Sequence, residues 1–388
     1  MPPPFQPGIA TLLNTHAAWL RGRRVALVSH PAAVDTDGTH SLERLAQSGL
    51  TKSLVVWGPE HGFLGTAGAG EHVRHARHPL WNIPVYSLYG TQRQPTPRML
   101  REIDTIVVDL QDLAVRCYTY VSTLRYILEA AAAHGKTVIV ADRPVPFPTT
   151  VDGPMLTPAC TSFVGAIPAP LVYGMTPAET ARWLQCTLAL DLDLRIAAMR
   201  GYSRDEHRSP DWPPWIPPSP GIATWDSARC YPATVMTEAL PTLDCARTSR
   251  LPFQSLVAPW IDAHAFCDAL RATKLPGITF HPHATAIRTP LGATRPAQGV
   301  RLVITNPARY RPVLTAITLL HTLQKLYGQK RLWTRASRPD FFDKLFGTPA
   351  TRESLHANAT PATIAATWHQ NSTPFRRTRE KYLLYPNT

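Results

Sequence analysis

Thr105-Ile-Val-Val-Asp-Leu-Gln-Asp112 and Val138-Ile-Val-Ala-Asp-Arg-Pro144 are apolar runs that end in polar residues, and they decide the fold class of this chain. A short run of β-branched and other apolar residues predicts a buried strand. Between the two runs, the Ala- and Leu-rich segment Thr123–His134 has the period of a helix. A strand, a helix and a second strand in this order predict a βαβ unit with parallel strands.

The same alternation extends over residues 24–196. It predicts strands at Val25–Ser29, Leu54–Trp57, Thr105–Asp109 and Val138–Ala141, with helices at Ser41–Gln47, Pro97–Glu102, Thr123–His134 and Pro177–Leu188. The Pro- and Trp-rich segment 201–225 forbids a helix or a central strand and predicts a crossing between domains. Beyond it, the predicted elements are strands Gly277–Phe280 and Gly299–Thr305, an amphipathic helix Pro312–Leu326 and a basic tail Arg376–Leu384. The sequence therefore predicts an α/β fold, a doubly wound parallel sheet with a second, smaller α/β domain.

Composition narrows the function classes. A chain of 388 residues with 44% hydrophobic and 17% charged residues is expected to fold. Its net charge of +13 favours an acidic partner, although no basic helix stripe with interleaved aromatic residues indicates nucleic acid. Six cysteines without a C-x-x-C pair indicate neither a zinc site nor a redox motif and favour a reducing compartment. The segment Met1–Gly8 has no signal-peptide pattern, so we expect a cytoplasmic protein, or a periplasmic or secreted one if a leader is missing.

Polar residues follow four successive predicted strands. Carboxyl ends of parallel strands meet at one edge of a sheet, so we expect these residues to surround a common crevice. A single Asp after a strand is more often the cap of the next helix, whereas Glu is a poor cap. Glu60 lies between Pro59 and Gly62 and is the strongest candidate. The residues at the four strand ends are His30; Glu60 and His61; Gln111 and Asp112; Asp142 and Arg143.

Cleavage of a glycosidic bond needs two carboxyl groups across a cleft. Glu60 is the first candidate, and Asp112, Asp142 and Asp152 compete for the second role. Asp109 is equally compatible with a buried structural role.

Several aromatic residues could stack against the face of a sugar ring. We expect at least one ring of Tyr118 and Tyr120 to face the crevice, with core packing as the alternative. Trp212, Trp215 and Trp225 either stack on a sugar or bury the linker.

Three further patterns favour ordinary structure. The segment Gly65–Gly70 does not have the spacing of a phosphate-binding loop, so we expect a flexible loop beside Glu60. The trio His72, His75 and His78 is interrupted by arginine residues, and a basic loop is expected instead of a metal site. Cys117 lies beside Arg116 without a paired histidine and is expected to be a packed residue.

A set of motifs matches a known family from about residue 8 to residue 385. The motifs are Gly58-Pro-Glu-His-Gly62, Pro84-Val-Tyr-Ser-Leu-Tyr-Gly90, Asp109-Leu-Gln-Asp112, Arg116-x-Tyr118-Thr-Tyr120, Asp142-Arg-Pro144, Gly174-Met-Thr176, Pro217-Pro-Ser-Pro220, Phe342-Asp-Lys-Leu345 and Tyr382-Leu-Leu-Tyr385. With these motifs the chain resembles the exo-β-N-acetylmuramidase NamZ family.

The resemblance implies a Rossmann-like catalytic domain (residues 1–200), the crossing segment (201–225) and a smaller C-terminal α/β domain (226–388) that completes a cleft. It implies removal of terminal N-acetylmuramic acid from the non-reducing ends of peptidoglycan fragments, with no metal or organic cofactor. The expected catalytic residues are Glu60, His61, Asp112 and Asp152. The expected substrate-binding residues are His30, Gln111, Arg116, Tyr118, Tyr120, Asp142, Arg143, Tyr173 and Glu238. Among them, Arg116 or Arg143 is expected to bind the lactyl carboxylate of the sugar in a bidentate manner.

Three segments depart from the family pattern. Asp152 and Tyr173 stand where relatives usually have Glu and His, and the run Thr237–Thr248 retains only Glu238 and Arg247 of the expected residues. The alternative functions are therefore a muropeptide- or acidic-glycan-binding protein that is non-catalytic or altered in specificity and, by fold analogy alone, a nucleotide-binding enzyme.

Overall fold

The computed structural model describes residues 3–65, 68, 71, 76–204, 208–288 and 292–387. The strands are β1 Arg24–Val28, β2 Ser53–Gly58, β3 Ala76–Arg77, β4 Pro84–Ser87, β5 Thr105–Val108, β6 Thr137–Ala141, β7 Asp152–Met155, β8 Pro170–Val172, β9 Leu194–Ala197, β10 Ser255–Ala258, β11 Ile278–Arg288 and β12 Thr294–Ile304. The helices are α1 Gly8–Thr15, α2 Ser41–Ser48, α3 Pro97–Arg101, α4 Tyr120–Ala133, α5 Pro177–Thr187, α6 Trp225–Thr234, α7 Ala263–Ala272, α8 Pro312–Tyr327, α9 Gln329–Leu332, α10 Pro339–Phe346, α11 Ala350–His356 and α12 Pro361–Arg379.

The central sheet has seven strands in the order β3-β4-β2-β1-β5-β6-β9. All neighbouring pairs are parallel except β3 with β4 at the edge. Alternate residues of β1 face opposite sides of the sheet, as the pleat requires. Ala26 and Val28 pack in one core with α4 and α5, whereas Val25 and Leu27 pack in another with α1 and α2. The predicted doubly wound α/β sheet is confirmed.

The second, smaller unit has a different sheet. Strand β12 lies between β10 and β11 and is antiparallel to both. Helix α7 packs on β11 and β12, and α8 contacts α6, α7 and α12. The predicted strands Gly277–Phe280 and Gly299–Thr305 lie within this sheet but are parts of two longer, paired strands. Most of the basic tail belongs to the last turns of α12 and the short 3₁₀ turn after it.

The hairpin β7–β8 joins the two units. It packs against α8 and α12, so the core of the first unit continues into the second. In the Pro- and Trp-rich segment, Trp212 is buried, and Trp212 and Trp215 both contact the Trp225 ring edge-on, with centroids 5.7 and 5.1 Å away. These tryptophans therefore bury the linker. Across the described ranges, no helix combines the length and apolarity that a membrane crossing requires.

Candidate functional site

A strained turn at the carboxyl end of β2 presents the two leading candidates. His61 and Gly62 both have positive φ values, 69° and 75°, and Gly62 N donates a hydrogen bond to Pro59 O at 2.9 Å. Positive φ is unfavourable for a residue with a Cβ, so His61 is held there by its surroundings. Gly58 is required at the start of the turn, because a Cβ at this position would lie 2.6 Å from Phe63 N. The backbone thus fixes Glu60 and His61 beside the crevice.

Glu60 is held by hydroxyl groups from two other elements. Thr119, the residue before α4, donates its hydroxyl proton to Glu60 Oε2 at 2.5 Å. Tyr89 follows β4, and its pKa is raised to about 12 by burial first and then by the charge of Glu60 and a hydrogen bond with it. The Tyr89 hydroxyl therefore keeps its proton at neutral pH. The carboxyl group is oriented from two sides.

Glu60 and His61 line a cavity of about 560 Å³ between the two units. Four cations and six aromatic rings contribute most of the remaining chemistry. They are Arg93, Arg247, Arg338 and Lys344, with Tyr89, Tyr118, Phe163, Tyr231, Phe253 and Phe341. Arg93 lies over the Phe163 ring, with its guanidinium carbon 4.6 Å from the ring centroid. A cavity of this size with aromatic walls and charged groups is typical of a small-ligand site.

Glu238 supplies a second carboxyl group to the cavity wall. It lies in the 3₁₀ segment Val235–Ala239 and forms an ion pair with Arg247, whose guanidinium also lies over the Phe253 ring. The divergent run Thr237–Thr248 thus lines the cleft through both of its retained residues. Among the described residues that line this cavity, Glu60 and Glu238 are the carboxylic acids.

Tyr118 and Tyr120 occupy different positions. Tyr118 lies in the cavity wall, and its ring is in edge contact with Tyr231, with centroids 5.7 Å apart. Tyr120 lies behind it and donates its hydroxyl proton to Pro218 O at 2.5 Å. One ring of the pair therefore reaches the crevice, and the other supports it.

His30, Gln111, Asp112 and Tyr173 form a buried layer next to Tyr120. Gln111 N donates to His30 Nε2 at 2.8 Å, and Tyr173 donates its hydroxyl proton to Asp112 at 3.0 Å. Burial lowers the pKa of His30 and raises the pKa of Asp112 to about 7. None of the four lines the cavity. Their predicted contact with substrate is thus replaced by contacts with one another and with the backbone.

Asp142 and Asp152 are not among the described residues that line this cavity. Asp142 is fully buried and accepts hydrogen bonds from Thr176, the Ala178 backbone and Tyr385. Burial, with the charge of Glu179 second, raises its pKa to about 7.

Asp152 instead caps a helix of the second unit. Its Oδ2 accepts hydrogen bonds from Val313 N at 2.8 Å and Leu314 N at 3.4 Å, at the first turn of α8. These contacts give Asp152 a structural role as a helix cap, and its catalytic role stays a prediction.

Arg116 and Arg143 are likewise not among the described residues that line this cavity. Arg116 is fully buried and donates to four backbone carbonyls, those of Pro154, Ala169, Leu345 and Phe346. Burial lowers its pKa to about 10.

Arg143 forms a buried ion pair with Asp109, and its Nη1 donates a hydrogen bond to Val34 O at 2.8 Å. Neither guanidinium is available to bind a sugar carboxylate. The pairing also assigns Asp109 its buried structural role.

The weaker patterns are resolved in part. Cys117 lines the cavity wall, and burial raises the pKa of its thiol to about 12. His72, His75 and most of the segment Gly65–Gly70 lie outside the described residues. His78 accepts a hydrogen bond from Trp81 N at 3.3 Å in a turn between β3 and β4.

Models of the two halves of one family match almost the whole chain. The N-terminal model of the exo-β-N-acetylmuramidase NamZ matches residues 25–226, and the C-terminal model matches residues 229–385. The peptidoglycan β-N-acetylmuramidase NamZ of Bacillus subtilis (strain 168) is 33% identical over 387 residues, which are 99% of this chain and 92% of the relative. The chain belongs to the NamZ family.

Two solved structures are similar to this chain. A DUF1343 family protein from Bacteroides fragilis NCTC 9343 superposes with a TM-score of 0.90 at 30% identity, covering 98% of this chain and 99% of the other. A second DUF1343 family protein from the same strain shares the fold, with a TM-score of 0.75 at 24% identity over 99% of both chains. The predicted family is confirmed, and with it the prediction of a glycosidase.

Several NamZ-family motif residues in the cleft were not among the predicted site residues. Tyr89 and Thr119 lie within motifs that carried the resemblance, and Lys344 lies within Phe342-Asp-Lys-Leu345. Their place in those motifs is a signal that could have identified them. Arg93 and Arg338 lie outside the motifs, and nothing in the sequence alone distinguishes them from other surface arginines.

Proposed function

We propose that this member of the NamZ family releases N-acetylmuramic acid from the non-reducing ends of peptidoglycan fragments, with Glu60 as a catalytic carboxyl group. The observation that carries the proposal is the position of Glu60, held by Thr119 and Tyr89 in the wall of a sugar-sized cavity. The relative from Bacillus subtilis is named for the same activity. Carboxyl chemistry at an oriented glutamate is what glycosidic cleavage requires.

We assign Glu238 as the second carboxyl group. Glycosidases generally need one carboxyl group to protonate the leaving oxygen and another to act as nucleophile or to activate water. Glu238 approaches the cavity from the second unit, whereas Glu60 approaches from the central sheet. Its ion pair with Arg247 holds the carboxyl group in the cavity wall. Glu60 and Glu238 together are the two carboxyl groups that this chemistry needs.

The cations of the cavity supply specificity in this proposal. The lactyl group of N-acetylmuramic acid carries a carboxylate, which distinguishes this sugar from N-acetylglucosamine. Arg93, Arg338 and Lys344 line the cavity and take over the carboxylate-binding role that the sequence suggested for Arg116 or Arg143. Charge-assisted hydrogen bonds from such groups are stronger than neutral ones.

The test uses Glu60→Gln, which keeps the size of the side chain and removes its acid–base chemistry. A disaccharide with N-acetylmuramic acid at its non-reducing end is incubated with the protein, and the released sugar is measured by mass spectrometry. We expect release by the unchanged protein and by Glu102→Gln, an exposed control at the end of α3. We expect at least about a 1,000-fold lower rate with Glu60→Gln, since loss of an essential acid or base has effects of about this size. Full activity of Glu60→Gln would contradict the proposal.

A second candidate function is binding without cleavage. It is favoured by the divergent run Thr237–Thr248, which lines the cleft through Glu238 and Arg247. Calorimetry distinguishes the two: tight binding of the disaccharide with no product in the same sample supports the binding protein and rejects the enzyme.

A further inference from the structure

The positive charge of the chain is concentrated in one segment. Residues 1–268 contain 22 Lys and Arg residues against 23 Asp and Glu residues, so this part is almost neutral. Residues 269–339 contain 12 Lys and Arg residues and no Asp or Glu. Residues 340–388 contain six Lys and Arg residues and four Asp and Glu residues. The charge of the protein therefore belongs to the second unit, and mainly to 71 consecutive residues.

The end of this segment forms part of the cleft entrance. Arg338 lines the cavity, and its backbone N–H donates to Ala239 O at 2.9 Å. Thr242 donates its hydroxyl proton to Leu332 O at 3.2 Å. These bonds fix the stretch between α9 and α10 against the segment that carries Glu238. The cations on this stretch therefore have a defined position beside the catalytic cavity.

Lys330, Arg331, Arg335 and Arg338 form what we call the basic rim. All four are exposed, and none forms an ion pair with any residue in the described ranges. Two acids follow on α10: Asp343 is bonded to Arg352 at 2.7 Å, and the exposed Asp340 forms no ion pair among the described residues and offsets at most one of the four rim charges. Uncompensated like charges on one surface repel one another, so an unpaired cluster indicates an anionic ligand.

We infer that the basic rim binds the acidic glycan chain that continues beyond the terminal sugar. This inference rests on the proposed function. A cavity of about 560 Å³ holds a small ligand, so the rest of a long fragment must leave through the entrance. Peptidoglycan strands carry carboxylates on their lactyl groups and peptides. The rim then holds the polymer while the terminal sugar occupies the cavity.

The test removes three rim charges in the full chain, as Lys330→Gln, Arg331→Gln and Arg335→Gln together. These residues do not line the cavity, whereas Arg338 does and is kept. A matched control removes three exposed cations at the opposite edge of the central sheet, before β1 and β2: Arg21→Gln, Arg23→Gln and Lys52→Gln. Both variants lose the same charge, so a general effect of net charge changes them equally.

KM is measured for the muramic-acid-terminated disaccharide and for long glycan strands from which the peptides have been removed, so that every lactyl carboxylate is free in both substrates. We expect the ratio of the two KM values, strand over disaccharide, to rise roughly 3- to 100-fold in the rim variant. Each exposed charge pair contributes little free energy, but these contributions add, so the effects on KM multiply. The effect decreases as salt is added. The control leaves the ratio unchanged. A ratio that does not move in the rim variant, or that moves equally in both variants, overturns the inference.

Failure of the proposed function is distinguishable from failure of the rim. If the unchanged protein cleaves neither substrate, co-sedimentation with insoluble peptidoglycan replaces the KM measurement. Loss of sedimentation in the rim variant alone supports the rim, and equal sedimentation of both variants rejects it. Double-stranded DNA and anionic vesicles are tested in parallel. If the rim variant loses binding only to one of these, the glycan assignment is wrong.

Discussion

Asp152→Ala is the most informative single substitution outside the cleft. The sequence pattern makes Asp152 a catalytic acid, whereas its contacts make it the cap of α8. The carboxylate accepts hydrogen bonds from Val313 N and Leu314 N, and it is buried. Alanine removes the acceptor and leaves both N–H groups at a buried helix terminus. The two roles predict opposite results for stability and activity.

The magnitude follows from these contacts. Loss of an N-cap costs about 0.5–2 kcal/mol, and a buried donor without a partner costs about 1–3 kcal/mol. The 2.8 Å bond to Val313 dominates, and the 3.4 Å contact to Leu314 adds little. The buried carboxyl group also carries a desolvation cost that the substitution relieves. We therefore expect Asp152→Ala to lower the free energy of unfolding by about 3 kcal/mol, which lowers Tm by about 4 °C if the whole chain unfolds together.

The assay combines thermal unfolding, followed by circular dichroism, with kcat/KM on the muramic-acid-terminated disaccharide well below Tm. Asp152→Asn is the matched variant, because the amide oxygen still accepts from the helix N–H groups and Asn is a good N-cap. We expect Asp152→Asn to keep Tm within about 2 °C, corresponding to less than about 1.5 kcal/mol. We also expect both variants, once folded, to keep kcat/KM within about threefold, as for residues that do not contact the substrate.

The refuting result is equally clear. If Asp152→Asn unfolds at the temperature of the unchanged protein but loses about 100-fold or more of kcat/KM, Asp152 acts in catalysis. The cap interpretation is then wrong. If Asp152→Ala leaves Tm unchanged, the hydrogen bonds to α8 do not contribute to stability.

Three further predictions concern the cleft and its support. Tyr89→Phe removes the hydroxyl that bonds the catalytic carboxyl, so kcat should fall about 10- to 100-fold with Tm unchanged; an unaffected kcat removes Tyr89 from the mechanism. Gly58→Ala places a Cβ 2.6 Å from Phe63 N and should lower the free energy of unfolding by about 3 kcal/mol or more. The control Gly49→Ala, whose Cβ contacts no other atom, should lower it by about 1 kcal/mol, and equal losses in the two variants would refute the clash. The pKa of Asp112 is raised to about 7 in the folded state, so its stabilising contribution is complete below about pH 4 and is lost as pH rises through 7. Urea unfolding should therefore show the stability of Asp112→Asn gaining about 2 kcal/mol on the unchanged protein between pH 5 and pH 7, and a constant difference contradicts this.

The central sheet was predictable because its strands are continuous apolar runs. β1, β5 and β6 are buried on both faces, and such strands need β-branched residues throughout. Strand β9 at one edge and β4, next to the short edge strand β3, were not predicted. Both are short and only partly buried, so their residues follow no clear pattern.

The site was predictable only where the turn chemistry is unusual. Glu60 stands between Pro59 and Gly62, and this local constraint identified it. Asp142 follows a strand in the same way as Asp112, and Asp152 begins β7, but the hydrogen-bond partners of Asp142 and Asp152 include residues as distant as Tyr385 and Val313. A single sequence does not reveal which acidic side chain accepts hydrogen bonds from residues that are distant along the chain.

For arginine residues, too, the sequence does not show which side chains reach the cavity. Arg116 lies in a functional motif, yet all of its hydrogen-bond acceptors are main-chain carbonyls, which any sequence supplies. Arg247 lies in a divergent run and nevertheless reaches the cavity. Motif membership therefore predicts that a residue matters and does not predict whether it contacts the substrate.

The hairpin β7–β8 has a consequence for how proteins of this architecture diverge. Asp152 on the hairpin caps α8, and Arg116 ties the backbone beside the hairpin to Leu345 and Phe346 at the end of α10. A recombination event that exchanged the second unit alone would leave a helix uncapped and a buried guanidinium without half of its acceptors. An exchange of the second unit therefore has to preserve both sets of contacts if the fold is to be kept.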